Sequence, residues 1–180
     1  MKNNSLLRLF LVFAALGILS GCVTTASSID KSANDALQVF KEQVNGSEVF
    51  LNQAAGYLVF PRVIKAGAGV GGETGEGVLR VGGSTVDYYR TASGSFGFQL
   101  GAQAKSIVIM FMTRDALDSF RRSEGWQVGV DGSVALIDIG AGKTIDTNNL
   151  RDPVVGFIYG SKGLMYNLTL EGTKFTKVDR

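Results

Sequence analysis

A single thiol and no imidazole set the chemical limits of this chain. Cys22 is the only cysteine in 180 residues, and there is no histidine. The commonest general base and the commonest metal ligand are therefore missing. The acids are scattered, with no pair argued into one cleft, and no Gly-x-Ser-x-Gly elbow occurs. A carboxylate-only or Ser–Lys enzyme would fit these counts, but no spacing supports one. Nor is there a cluster suited to zinc or calcium. Gly67-Ala68-Gly69-Val70-Gly71-Gly72 has the spacing of a dinucleotide fingerprint. That motif needs a helix directly after it, and Glu73-Thr74-Gly75-Glu76-Gly77 both breaks helices and repels phosphate. Gly142-Lys143-Thr144 resembles the end of a P-loop, but Ile137 stands where the loop's first glycine belongs. The residues argue for no enzyme, no metal, no cofactor and no nucleotide.

Cys22 itself sits in an informative place. Lys2 and Arg8 precede the apolar run Leu9–Ile18, and Leu19-Ser20-Gly21 puts small residues before the cysteine. This is the layout of a secretory signal peptide, and the run falls short of the roughly 20 residues that span a bilayer. Leu-Ser-Gly-Cys resembles the bacterial lipobox, in which the thiol receives a diacylglyceryl group and the new amine is then acylated. The expectation is a signal peptide at 1–21, a lipidated tether at 22–31 and one domain at 32–180, on the cell envelope. Val23, where an aspartate would retain the chain at the inner membrane, points to the periplasmic face of the outer membrane.

Cleavage also changes the charge. Eighteen basic residues face 16 acidic ones, and loss of Lys2 and Arg8 makes the remainder neutral. A neutral surface gives no general support for nucleic-acid binding. Five residues could meet a phospholipid headgroup or an envelope protein: Arg62 and Lys65 on one stretch, Tyr88, Tyr89 and Arg90 on another. Tyrosine and arginine suit a boundary that is apolar on one side and wet on the other. Ordinary strand ends with solvated charge have the same composition. Arg121-Arg122 reads as charge at a helix C-terminus.

The elements that must position these residues follow from periodicity. Ala33, Ala36, Leu37, Phe40 and Val44 recur at helical spacing after a possible cap at Ser32, and a short second helix is expected over 47–54. Thr113 caps a mid-chain helix with Leu117 and Phe120 on its apolar face. The rest reads as strands: 57–60 ending at Pro61, 66–71, a return over 78–81 after a turn at 73–77, and 96–104. Ile107–Met112 is apolar on both faces and therefore central. Hairpins are expected at 126–139, around Asp131-Gly132, and at 154–170, with a last strand at 174–178. The fold class is α+β: a β-dominated antiparallel barrel or sandwich with N-terminal helices and one mid-chain helix. Glycine, at 24 residues, is well above the usual share of roughly 7%. Within strands it marks bends or close backbone approach, or it leaves a side-chain-free face for a ligand.

The glycine-rich segments AAGYLVFP (54–61), AGAGVGGETGEGVL (66–79), GSFGFQLGAQAKSIVIMF (94–111), GVDGSVA (129–135) and GLMYNLTLEG (163–172) closely resemble the SYLF domain family. This is a lipid- and actin-binding module of yeast and animals, and its bacterial branch is similar in carrying a lipoprotein signal before the domain. The resemblance implies a non-enzymatic β-rich module that binds lipid. Lipid binding in eukaryotic members is linked to a basic segment ahead of the domain. Here Lys31 and Lys41 face Asp30, Asp35 and Glu42, so no lipid-binding residue is carried over. An exported chain does not meet actin. The expected function is a lipid-binding envelope lipoprotein; the alternative is a protein-interaction or structural module of the envelope.

Overall fold

The computed structural model describes residues 25–138, 151–163 and 170–180. The expected signal segment, Cys22, Gly142-Lys143-Thr144 and residues 164–169 of the expected second hairpin lie outside them.

Two helices, α1 (Ala26–Gln43) and α2 (Ser47–Gln53), lead into two very long strands, β1 (Gly56–Val81) and β2 (Ser84–Phe111). There follow α3 (Arg114–Arg122), β3 (Trp126–Gln127), β4 (Ala135–Asp138), β5 (Val154–Gly163) and β6 (Lys174–Val178). Helix α1 begins six residues before the expected cap and takes in much of the expected tether. Thr25 Oγ1 accepts from Ser28 N at 3.3 Å, and Ile29, one turn ahead of Ala33, is buried. The apolar stripe thus starts at Ile29 and not at Ala33. Thr113 caps α3 as expected, accepting from Ala116 N at 3.2 Å.

β1 and β2 form one antiparallel ribbon whose register runs from Gly56 opposite Phe111 to Val81 opposite Ser84. The expected turn at 73–77 is strand instead. The chain reverses at Gly82-Gly83, whose φ angles of 59° and 83° suit a two-residue hairpin turn. The ribbon then folds back on itself about Ala66–Gly72. A Cβ on Gly75 would lie 2.7 Å from Arg62 O, and one on Gly56 would lie 3.0 Å from Arg80 O. At Gly77 the backbone oxygen of Val59 and the Phe60 ring leave no room for a side chain. These glycines let the two halves of β1 cross face to face, which is the packing role expected of them.

β2 organises the rest. Its Gln103–Phe111 half lies between β1 and β5, and residues 88–92 lie between β1 and β6. β3 extends β6, and β4 extends β5 in parallel. The sheet is therefore mixed and curled into half a barrel, α+β and β-dominated. The hairpin expected at 126–139 does not form. Val128 and Gly132 share only an isolated bridge, and the two strands pair with different partners.

Period-two alternation splits the core into two layers. Leu58, Phe60, Ile107, Ile109 and Phe111 point into the curl, where α3 adds Leu117 and Phe120, and Trp126 and Phe175 close the packing. Val59, Val108 and Met110 point the other way, onto Ile29, Ala33 and Phe40 of α1. Phe40 is wholly buried, its ring centroid 5.1 Å from that of Phe157 and 5.3 Å from that of Tyr159.

Candidate functional site: the bulges around Arg62 and Ser106

Proline has no N–H to give to a ladder and is tolerated in a strand at a bulge. Pro61-Arg62 is such a place: the β1–β2 register shifts between Phe60 and Val63. On the other edge of β2 the β5 register shifts between Ala104 and Ser106. The two irregularities are level with each other. Ser106 Oγ donates to Pro61 O at 2.8 Å and so fixes one bulge to the strand between them. Gly160, with φ of 63°, turns the other.

Three clefts meet at Pro61-Arg62. One of about 320 Å3 lies against α1 at Asp35 and Val39. A second, of about 420 Å3, runs between Arg62 and the folded-back half of the ribbon, past Ile29, Ile64, Glu76 and Arg90. A third, of about 340 Å3, sits between the bulges, with Arg62, Ser106 and Lys162 at its walls. A further cleft of about 600 Å3 lies on the other side of α1, beside Lys41, Tyr57 and Arg80. It contains none of the five residues singled out from sequence.

Those five do not form one surface. Arg62 is exposed on its bulge. Arg90 borders a cleft with it but is committed to Glu76, at 2.9 Å. Tyr88 and Tyr89 lie on opposite faces of β2, as adjacent strand residues must. The Tyr88 hydroxyl donates to Asp30 Oδ2 at 2.7 Å, and Thr85 Oγ1 donates to Oδ1 at 2.7 Å, so one carboxylate ties α1 to the ribbon. That hydrogen bond, then burial, raises the Tyr88 pKa. Tyr89 is 2% exposed, packed in the inner core with its ring centroid 4.9 Å from that of Phe120 and the planes tilted, and burial pushes its phenol up to about 12. Lys65 is 5% exposed. Tyr89 and Lys65 thus belong to the interior and not to a binding surface, because strand alternation turned both inward.

Sequence reading missed Ser106 and Lys162. Ser106 sits at the entry to an apolar run and looked like its edge. Lys162 lies in a turn-like glycine pair, Gly160 and Gly163. Neither Arg62 nor Lys162 has an ion-pair partner among the described residues. The Arg121 guanidinium, by contrast, lies 3.4 Å from Asp87, which also pairs with Lys177, so it holds α3 to the sheet as well as balancing the helix dipole. No three described His, Cys, Asp or Glu side chains converge as metal ligands, and no described helix is long and apolar enough to cross a membrane.

The family model for the Las17-binding protein actin regulator, Ysc84, matches residues 92–180, a segment that is thus similar to the SYLF domain family and that points to a protein- or lipid-binding module. The match takes in Ser106 and Lys162 and begins after Arg62. No curated protein matches the chain.

Proposed function

We propose that this chain is a non-enzymatic lipoprotein of the bacterial envelope, anchored through acylated Cys22, whose domain binds lipid headgroups. The observation that carries the reading is the cleft between the two bulges. Arg62 and Lys162 are both without an ion-pair partner among the described residues and flank Ser106, in a space of about 340 Å3. Cations left unneutralised at a shallow cleft suit an anionic headgroup. Anchoring supports even a weak site, because a tethered domain meets lipid at high effective concentration. Two or three acyl chains meet the two-signal requirement for stable attachment. The outer membrane's periplasmic face is the proposed location, and no nucleic acid, nucleotide or metal is a proposed partner.

Mass spectrometry of the mature chain tests the anchor: a diacylglyceryl thioether on Cys22 is expected, and an intact N-terminus ahead of it overturns the reading. Co-sedimentation of the chain beginning at Thr24 with phosphatidylglycerol vesicles tests the site. Binding that falls with salt and with Arg62→Ala plus Lys162→Ala is expected. If vesicles do not bind and crosslinking in cells traps one dominant protein, the domain is a protein-interaction module instead.

A further inference from the structure

We infer that the cleft of about 600 Å3 between α1, α2 and the Gly82-Gly83 hairpin binds a phosphate monoester carried on a hydroxyl-bearing body, as in a sugar phosphate. This site shares no lining residue with the clefts at Arg62 and does not depend on the anchor.

The walls come from three elements. Asn34, Gln38 and Lys41 follow one another at helical spacing along one face of α1. Asn52 stands across from them on α2, and β1 supplies Tyr57 and Arg80. No carboxylate lines the cleft. The acids nearest to it in sequence are engaged or turned elsewhere. Asp30, one turn before Asn34, accepts from Thr85 Oγ1 and the Tyr88 hydroxyl, each at 2.7 Å. Glu42 accepts from Gln38 Nε2 at 3.1 Å, and Glu48, one turn before Asn52, is not part of the lining.

The two cations are uncommitted. Neither Lys41 nor Arg80 has an ion-pair partner among the described residues. Arg80 Nε is also buried without a hydrogen-bond acceptor. A buried N–H left unpaired is costly, so the position calls for an oxygen. The guanidinium fork matches phosphate geometry, and a phosphate oxygen reaching Arg80 supplies the missing acceptor.

Charge count and lining select the ligand class. A phosphate monoester carries roughly −1.5 to −2 near pH 7, which matches two cations, whereas a carboxylate offers only one charge. Asn34, Asn52 and the Tyr57 hydroxyl can each donate and accept, as the hydroxyls of a sugar require. Leu37 and Leu51 leave an apolar strip for its carbon face. The volume falls within the roughly 300–1,000 Å3 of small-molecule sites.

The test is calorimetric titration of the full-length chain, solubilised in detergent, with glucose 6-phosphate. Binding is expected, weakened about tenfold or more by Arg80→Gln and by Lys41→Gln. Lys41 is exposed on α1, so Lys41→Gln keeps the fold and the test stands even where Arg80→Gln disturbs it. Arg62→Ala with Lys162→Ala is expected to leave the affinity unchanged, which separates this site from the headgroup cleft. A second arm uses vesicles containing phosphatidic acid. If these bind through Lys41 and Arg80 and the soluble ester does not, the monoester belongs to a lipid. Equal binding of glucose without its phosphate overturns the inference. So does the absence, in both arms, of binding that depends on Lys41 and Arg80.

Discussion

Lys105 Nζ lies 2.9 Å from Glu73 Oε2, with both side chains sealed from solvent beneath the bend of the ribbon. The second oxygen of Glu73, and the side-chain oxygens of Thr91 and Gln103, have no hydrogen-bond partner among the described residues. The two halves of the ribbon therefore meet at this end over an ion pair, and elsewhere over an apolar core. Glu73→Gln leaves a buried ammonium without its counter-charge. A loss of about 3–5 kcal/mol is expected in urea denaturation, whereas Glu73→Leu with Lys105→Met is expected to be near neutral or stabilising.

Gly77 is the tightest crossing of the two ribbon halves. Gly77→Ala has to push apart the Val59 backbone and the Phe60 ring, and about 1–3 kcal/mol of stability is expected to be lost. Gly94→Ala, with nothing within 4 Å of the added methyl, is the control and is expected to change the urea midpoint little.

High pH is expected to loosen the fold through its tyrosines. Burial raises the Tyr89 phenol to about 12 and raises Tyr159 further, while the bond to Asp30 raises Tyr88. The unfolded chain releases these protons near pH 10 and the native one holds them. Their contribution is complete below pH 10 and is lost as pH rises toward 12. Tyr89→Phe is expected to flatten the decline measured by circular dichroism between pH 10 and 12.

Asp30→Ala removes the acceptor for Thr85 Oγ1 and the Tyr88 hydroxyl. Breaking this part-buried tie is expected to cost about 1–3 kcal/mol. The Tyr88 phenol is expected to titrate nearer its ordinary value, as followed by ultraviolet absorbance.

On anionic vesicles, each basic residue near the surface is worth about 1 kcal/mol, so Arg62→Ala with Lys162→Ala is expected to weaken partitioning roughly thirtyfold at low salt. Lys65→Met and Tyr89→Phe, both interior, are expected to leave it unchanged.

What could be read in advance was local. Thr113 and the spacing of Leu117 and Phe120 announced α3, and the two-sided apolar run Ile107–Met112 announced a central strand. The start of the N-terminal helix is harder to read, because Ser27 and Ser28 have the composition of a tether although Ile29, Ala33, Ala36, Leu37 and Phe40 share one buried face. The fold-back of the ribbon was hidden for another reason. Glu73–Gly77 has turn composition, and only contact with residues 59–63 shows that its glycines serve a crossing. Of the five surface candidates, Arg62 kept its place because Pro61 forces a bulge. Lys65 and Tyr89 were lost because alternation past a bulge cannot be counted from sequence.

The central position of β2 also orders the assembly of the molecule in time. The hairpin about Gly82-Gly83 can zip from its turn as soon as both arms exist. The half of β2 around Tyr89, however, stays open along one edge until Lys174–Val178 has been synthesised and docks there. Phe175, which packs with Phe60 and Trp126, joins at the same moment. Nascent chains stalled or trimmed before residue 174 would expose an unsatisfied strand edge beside aromatic surface, a form prone to self-association and to holding by chaperones.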